Sequence, residues 1–335
     1  MKPINGNQSR RIGFTIIELL TVMSIIVILI SLLAPALNRV RRYATDVKQK
    51  AQFHSIAVAL DMFNSDFDGY PDSNALDDLG NNYCGAMRLA EALVGQDLKG
   101  FNPSSRFERA GFGSATPTPT TTMYPPYGYP DTPTYNANIQ SRKMYLELEH
   151  ANAYLLSDIY DNGTITSAVA ALNSYGPTVQ GFDPCTYVLC DSYNRVTNKT
   201  TGKKMGMPIL YYRADQTKFL FPPSGTAPNP TMQAYASTYT YNFYDNQALI
   251  NMGMPWLPSG SPISSNVHRL ASGGTTPELF QITGTNACPE EFYRIIRDPK
   301  ISSGDRPYRA NSYILMSAGF DGEYGTSDDI YNFGN

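Results

Sequence analysis

Four acidic residues crowd into one short, glycine-rich stretch of the sequence, SAGFDGEYGTSDDIYNF over 317–333. The four acids are Asp321, Glu323, Asp328 and Asp329. No lysine or arginine follows Ala310, and like charges at this density are unfavourable unless solvent or a cation relieves the repulsion. Glycine lets the backbone turn its carbonyl oxygens inward, and hard oxygen ligands on a flexible loop suit Ca²⁺. The stretch therefore indicates either a calcium loop or a solvated acidic turn.

Glu18 is the second chemically unusual residue, because it is the one formal charge between Phe14 and Leu37. The rest of that run is mostly Ile, Leu, Val and Met. About two dozen helical residues span roughly 36 Å, which is enough to cross a hydrocarbon core of roughly 30 Å. A lone carboxylate in lipid is costly unless it has a partner or takes up a proton. The run predicts a membrane helix whose carboxylate has a specific partner.

The residues before the apolar run suggest that partner. The first thirteen residues are basic and contain no acid, which favours a cytoplasmic N-terminus. A small residue, Gly13, precedes the run, whereas a secretory signal has its small-residue cleavage site after it. Cleavage after Gly13 would keep the helix and create a positive amine on Phe14, close in sequence to Glu18. The alternative is an ordinary signal anchor with an incidental glutamate.

No other group of residues indicates chemistry of its own, and we predict that the protein is not an enzyme. The histidines are scattered, and the sequence has no phosphate loop, nucleophile elbow or zinc-protease helix. The formal charge of −3 and the lack of a clustered basic face argue against a nucleic-acid partner. The four cysteines permit disulfides in an oxidising compartment. Cys185 and Cys190 are the nearest pair in sequence, and the alternative is burial of free thiols.

The helix that carries Glu18 is expected to continue beyond the membrane as an amphipathic segment that ends near Asp68-Gly69-Tyr70-Pro71. Its apolar stripe recurs at three- and four-residue steps and needs a globular head to cover it. The stripe consists of Val47, Phe53, Ile56, Ala57, Leu60 and Phe63 or Phe67.

The remainder of the chain predicts mixed α and β structure. We expect helices over 87–98, 143–158 and 289–297. We expect strands over 186–189, 209–212 and 312–317, with a turn at 198–204. The Pro- and Thr-rich stretch 114–135 is expected to be a surface insertion that either packs on the head or offers its tyrosines as a contact surface.

The N-terminal residues resemble the type IV prepilin signature, which is a short basic leader, Gly13, Phe14-Thr15 and Glu18 before an apolar helix. Pro35 lies where pilin-like proteins often carry a helix-bending proline. The resemblance implies cleavage between Gly13 and Phe14, N-methylation of Phe14, and roles for Glu18 and Pro35 in assembly. It also implies four parts: a leader over 1–13, a membrane and assembly helix over 14–37, an amphipathic continuation over 38–70, and a head over 71–335.

Two further stretches resemble the major pseudopilin of type II secretion: the helix end over 59–71, and the acidic C-terminal stretch 317–333, where Phe333 replaces the family's tryptophan. A looser resemblance joins Asp191 and Gly206–Tyr212 to a strand region of that family. The resemblance implies an α+β, type IV pilin-like fold, in which the long N-terminal helix packs on a C-terminal antiparallel β-sheet head, here with large loop and helix insertions. It implies a calcium loop over 315–333.

The calcium ligands implied by this resemblance are the side chains of Asp321, Asp328 and Asp329, with backbone carbonyls completing the shell. The implied partners are copies of the chain and other pseudopilins, the prepilin peptidase, and an inner-membrane platform with its ATPase. The implied location is the inner membrane, crossed once, with the head in the periplasm.

The expected function is that of a structural subunit of a type II secretion pseudopilus, a helical filament that supports protein export. A type IV pilin or a large minor pseudopilin stays open, although Glu18 favours a body subunit because tip subunits of the family usually lack this glutamate. An alternative of another class is a membrane-anchored extracytoplasmic binding module that uses the Pro- and Tyr-rich insertion.

Overall fold

The computed structural model describes residues 15–78, 80, 82–108, 124, 142–160, 186–218, 238–256, 268–270, 287–301 and 305–334. Gly13, Phe14 and Cys185 lie outside the described residues, as does most of the Pro- and Thr-rich stretch. The chain divides into two compact units, Met1–Thr45 and Asp46–Asn335.

The first unit contains the beginning of α1, a helix that runs over Ile16–Phe67. Its most apolar window is wholly exposed, with Ile16 at 85% and Leu32 at 68% exposure. Among the described residues, α1 is the one helix long and apolar enough to cross a membrane by length and composition. Pro35 lies inside the helix, which continues past it. The predicted apolar helix is confirmed as a helix, and its composition is that of a single membrane span or a signal anchor.

In the second unit, α1 buries one face and ends at Phe67, as the sequence predicts. The next residue, Asp68, has a positive φ of 54°, a conformation that does not continue a right-handed helix. The buried positions recur at three- and four-residue steps. They are Gln49, Gln52, Phe53, Ile56, Ala59, Leu60 and Phe63.

Two glutamines that lie outside the predicted stripe, Gln49 and Gln52, are on the buried face, whereas Val47, which the stripe includes, is half exposed. The Gln49 Oε1 accepts a hydrogen bond from the Ser192 N–H at 2.8 Å, and the Gln52 Nε2 donates to the Cys190 carbonyl at 2.8 Å. A buried backbone group without a partner is costly, so these side chains satisfy a loop that lies against the helix. The prediction of Val47 as a core residue is therefore wrong.

The head combines short helices with small antiparallel sheets, which makes the fold α+β. The helices are α2 at Gly85–Val94, α3 at Leu148–Ala151, α4 at Leu156–Ile159, α5 at Gln247–Ile250 and α6 at Ala287–Ile296, with 3₁₀ turns at Pro103–Ser105 and Phe243–Asn246. The strands are β1 at Ala153–Leu155, β2 at Tyr187–Leu189, β3 at Val196–Thr197, β4 at Lys204–Met205, β5 at Leu210–Arg213, β6 at Tyr313–Ser317 and β7 at Ile330–Tyr331.

The strands pair in three antiparallel groups: β1 with β2, β3 with β4, and β5–β6–β7 with β6 in the middle. In the largest group Leu210 pairs with Met316 and Tyr212 with Ile314, while Met316 also pairs with Tyr331. The β3–β4 hairpin places its turn over 198–203, close to the predicted 198–204. The predicted strands over 186–189, 209–212 and 312–317 are confirmed to within one residue at each end.

The β5–β6 pair separates two hydrophobic cores, because alternate side chains of a strand point to opposite faces. Leu210, Tyr212, Ile314 and Met316 belong to one core, with Phe292 of α6. Tyr211, Tyr313 and Leu315 belong to the other, with the buried face of α1. Tyr211 is fully buried, and its hydroxyl donates to the Pro71 carbonyl at 2.6 Å just beyond the end of α1. The head therefore covers the apolar stripe of α1, as the sequence predicts.

Two predicted helices differ from the structure. Over 143–158 the chain forms α3, then strand β1, then the start of α4, because Asn152 takes a left-handed conformation with φ 49° and Tyr154 pairs with Val188 of β2. The helix predicted over 87–98 is α2, which ends at Val94 because Gly95 follows with φ 81° and its N–H caps the Glu91 carbonyl at 2.8 Å.

Candidate cation-binding loop and capped helix terminus

The acidic C-terminal stretch forms the connection between β6 and β7. The strand pair brings Ser317 opposite Ile330, so both ends of the connection are held by the sheet. Three glycines in it have positive φ: Gly319, Gly322 and Gly325. At Gly319 a side chain is excluded, since a Cβ would lie 2.3 Å from the Asp328 carbonyl oxygen. The backbone thus folds back on itself and brings distant acids of the loop together.

Asp321 and Asp328 are the two acids whose carboxyl groups meet. The Asp321 N–H donates to the Asp328 Oδ2 at 3.0 Å, and the Asp321 Oδ1 accepts from the Glu323 N–H at 2.8 Å. Burial, and then the charge of Asp328, raise the pKa of Asp321. Burial also acts to raise the pKa of Asp328, but hydrogen bonds from the Thr326 hydroxyl and the Asp321 N–H outweigh it, so that pKa is lowered. One ionised and one more readily protonated carboxyl therefore share this end of the loop.

Asp329 is turned away into the protein and stabilises the loop itself. Its Oδ2 accepts from the Gly325 N–H at 2.8 Å and from the Tyr331 hydroxyl at 3.0 Å. Burial raises the pKa of Asp329 to about 7, even though these two donors favour the ionised form. The Thr326 hydroxyl also donates to the Asp329 Oδ1, at 3.3 Å. Both oxygens of Asp329 thus already have hydrogen-bond donors, and its role as a calcium ligand stays a prediction.

Glu323, the fourth acid, forms an ion pair with Arg269 at 3.5 Å. Within the described ranges, no group of three or more His, Cys, Asp or Glu side chains is arranged to hold a metal ion. The Asp321–Asp328 pair nevertheless fits a cation in one respect, because two partly buried carboxyls in contact repel each other unless a proton or a cation intervenes. A Ca²⁺ ion would take these two side chains and would need backbone carbonyls and water for the rest of its six to eight ligands.

A further carboxyl, Asp191, lies beneath the loop and is fully buried. Its Oδ2 accepts from the Ser317 hydroxyl at 2.9 Å at the end of β6, and its Oδ1 accepts from the Met207 N–H at 3.2 Å. Gly206 permits this approach, because a Cβ there would lie 2.0 Å from the Asp191 carbonyl oxygen. Burial raises the pKa of Asp191 to about 7, although its hydrogen bonds act in the opposite direction. Asp191 thus connects the end of β2, the segment between β4 and β5, and β6, a role that no local pattern in the sequence indicates.

The one tryptophan of the chain, Trp256, lies against the same loop. A Cβ at Gly322 would lie 2.5 Å from the Trp256 ring, and the Arg195 guanidinium lies 5.0 Å from the ring centroid. Trp256 is therefore a natural fluorescence reporter of loop conformation.

Phe333, the last aromatic residue of the acidic stretch, stacks between the rings of Tyr308 and Tyr331. The ring centroids are 4.8 and 5.0 Å apart, and this stack covers the apolar side of β7.

At the start of α1, Glu18 forms a capping box with Thr15. The Glu18 Oε2 accepts from the Thr15 N–H and from its hydroxyl, both at 2.8 Å, while the Thr15 Oγ1 accepts from the Glu18 N–H at 3.3 Å. This reciprocal pattern satisfies donors that a helix N-terminus otherwise leaves without a partner. The Thr-x-x-Glu spacing could have identified it in the sequence. Glu18 therefore has a local structural role in addition to any role between subunits.

The predicted Cys185–Cys190 pair stays a prediction, because Cys185 lies outside the described residues. Cys190 and Cys84 are both fully buried. Burial raises the pKa of the Cys84 thiol to about 11, so it is a poor nucleophile near neutral pH.

Comparison with known proteins identifies no relative. No family model matches the chain, and neither a curated protein nor a solved structure matches it.

Proposed function

We infer that this protein is a structural subunit of a type II secretion pseudopilus, anchored in the inner membrane with its head in the periplasm. The observation that carries the proposal is α1, whose first part is apolar and wholly exposed while its later part is covered by an α+β head. An exposed apolar helix needs lipid or other apolar helices around it. A membrane supplies lipid before assembly, and copies of the same helix supply apolar surface within a filament.

The proposal includes a defined set of partners. The prepilin peptidase would cleave between Gly13 and Phe14 and methylate the new amine. Copies of the chain and other pseudopilins would surround the apolar part of α1, and an inner-membrane platform with its ATPase would drive their assembly. The head faces the periplasm because the basic leader retains the N-terminus on the cytoplasmic side.

Processing at the N-terminus is the first test. Protein isolated from its native membrane is expected to begin with N-methyl-Phe14, as measured by mass spectrometry of the N-terminal peptide. Gly13→Leu should block cleavage completely, because the peptidase must accommodate the side chain at the cut. Gly6→Leu, a matched change elsewhere in the leader, should leave cleavage unchanged. An intact Met1 in the assembled form contradicts the proposal.

Filament formation separates this proposal from its alternatives. Immunogold labelling of sheared surface filaments and of membrane fractions distinguishes a surface pilus from a pseudopilus, and labelling confined to filament ends indicates a minor tip subunit. A protein that stays monomeric in the membrane and never enters filaments would instead be the membrane-anchored binding module. Within the insertion, the described residue Tyr124 is buried, and its hydroxyl accepts from the Asn102 N–H at 2.7 Å. Tyr124 therefore packs on the head and does not offer its ring as a contact surface.

We also expect the C-terminal loop to bind one Ca²⁺ through Asp321 and Asp328, since a cation relieves the repulsion between these carboxyls. For a site of extracellular type, with a Kd on the order of 10⁻⁴ M, millimolar calcium should stabilise the folded chain by roughly 1.4 kcal/mol. The full-length protein in detergent micelles should therefore melt at a higher temperature in calcium than in chelator. Trp256 fluorescence, which reports on the adjacent loop, should change in a saturable way on titration with CaCl₂.

Asp321→Asn and Asp328→Asn are expected to abolish both effects of calcium while preserving side-chain shape. Glu149→Gln removes the same charge from an exposed position on α3 and should leave both effects unchanged. MgCl₂ should substitute poorly, because Mg²⁺ requires a small octahedral shell. Equal melting in calcium and chelator, with no fluorescence change, would show that the loop is a solvated acidic turn.

A further inference from the structure

Three arginines follow the apolar run of α1 almost at once: Arg39, Arg41 and Arg42. All three side chains are exposed, as is Leu37, the last residue of the run. Successive residues of an α-helix turn by about 100°, so the three guanidinium groups cover roughly 160° of the helix surface. These residues form an arginine band at the point where the surface of α1 changes from strongly apolar to strongly basic.

The distance between Glu18 and the arginine band matches the thickness of a membrane. At a rise of about 1.5 Å per residue, α1 is about 32 Å long between Glu18 and Arg39. The hydrocarbon core of a bilayer is about 30 Å thick. No charged residue lies between these two positions. If the apolar run spans this core, as the proposed function requires, the arginine band lies at the level of the phospholipid head groups.

The protein itself supplies little negative charge to the band. Neither Arg39 nor Arg41 has an acidic residue three or four positions away, the spacing at which side chains of one helix pair. Within the described ranges, no ion pair includes either of them. Asp46, the first acid after the band, accepts a hydrogen bond from the Tyr193 hydroxyl at 2.7 Å. The like charges of the band therefore repel one another, and an anion from outside the chain would relieve this repulsion.

Membrane orientation does not account for the arginine band. Basic residues beside a membrane helix favour the cytoplasmic side. The leader carries three of them before the helix, Lys2, Arg10 and Arg11, and the band places the same number after it. The band thus counteracts the effect of the leader on orientation, and its presence indicates a separate function.

Phosphate is the anion that suits the band best. Guanidinium groups form paired hydrogen bonds with phosphate oxygens, and these charge-assisted bonds are among the strongest in proteins. Basic residues beside a membrane span attract anionic lipids. In a zwitterionic lipid an ammonium group in the same head group offsets the phosphate, whereas phosphatidylglycerol retains its negative charge. We propose that the arginine band binds the phosphate groups of anionic phospholipids where α1 leaves the membrane.

The test uses the full-length protein in phosphatidylcholine vesicles that contain a trace of spin-labelled lipid. Electron paramagnetic resonance measures the fraction of labelled lipid that is held at the protein surface. Labelled phosphatidylglycerol should associate more strongly than labelled phosphatidylcholine, and added NaCl should reduce the difference. Replacing both Arg39→Gln and Arg41→Gln should lower this preference severalfold, since each basic residue beside an anionic surface contributes on the order of fivefold. Glutamine forms helices about as well as arginine, so α1 should be preserved.

Two control variants isolate the contribution of the band. Arg39→Lys combined with Arg41→Lys retains both charges and should retain most of the preference for phosphatidylglycerol. Lys199→Gln combined with Lys300→Gln removes two charges from exposed positions of the head and should leave the preference unchanged. The leader is identical in all these proteins, so it cannot produce a difference between them.

Equal association of the two lipids with the inserted, unaltered protein overturns the proposal and leaves an acidic protein surface as the partner of the band. A preference that the double glutamine variant retains in full also overturns it. So does a preference that the head control loses as well, because the effect would then be one of net charge. Extraction of the protein from the vesicles at alkaline pH would instead contradict membrane anchoring, and with it both this inference and the proposed function.

Discussion

Glu18→Ala is expected to abolish filament assembly while leaving membrane insertion of α1 intact. Insertion depends on the apolar run, which this change makes more hydrophobic. Assembly, in contrast, would lose the carboxylate that pairs with the Phe14 amine of a neighbouring subunit. An unpaired charge in an apolar interior costs several kcal/mol, so the pairing selects one axial register between subunits. Counting filaments by electron microscopy, against membrane-fraction immunoblots, measures the two processes separately.

The capping box provides the decisive control, because a glutamine can replace the glutamate in that motif. Glu18→Gln should retain the contacts with Thr15 and the helix start, yet it carries no charge to pair with an amine. We therefore expect Glu18→Gln to assemble as poorly as Glu18→Ala. Normal filaments from Glu18→Gln, combined with failure of Glu18→Ala, would mean that Glu18 acts only as a helix cap. Normal filaments from both variants would refute any role in assembly.

The stability of the head is expected to fall as pH rises from 5 to 8, with Asp191 as a main cause. The pKa of this carboxyl is about 7 in the folded protein against an ordinary value of 3.8, because burial disfavours the ion. A folded state with the higher pKa binds more protons than the unfolded state over this window. The stabilising contribution is thus complete below pH 4 and is lost as pH rises through 7. The expected loss is on the order of 2 kcal/mol between pH 5 and 8.

Asp191→Asn tests this assignment, since the amide preserves the shape and can still bond to Ser317 and Met207. Unfolding midpoints of the full-length protein, followed by Trp256 fluorescence in chelator, should depend less on pH in this variant. A smaller dependence should remain, because burial also raises the pKa of Asp329 to about 7. An unchanged pH dependence in Asp191→Asn would assign the effect to other buried acids.

Features with a local cause were predictable from the sequence. The end of α1 at Phe67 follows from Asp68-Gly69-Tyr70-Pro71, and the buried face over 53–63 follows from helical periodicity, which depends only on neighbouring turns. Strands β5 and β6 were predictable because their apolar residues are buried on both faces, between two cores. The acidic loop was recognisable because its charges and glycines are close in sequence.

Tertiary structure decided the features that depend on residues distant in the chain. The segment over 153–155 became a strand because Tyr154 finds Val188 as a partner, and a ladder of hydrogen bonds outweighed the helical pattern of its sequence. Asp191, which the sequence indicated only through a loose family resemblance, became a buried junction because Ser317 lies beside it in the fold. Asp245 likewise meets Ser73 only after β5 and the turn at Phe243–Asn246 pack together. Hydrogen bonds between such distant groups produce no periodic pattern in the sequence, because the packing of the folded chain determines which groups meet.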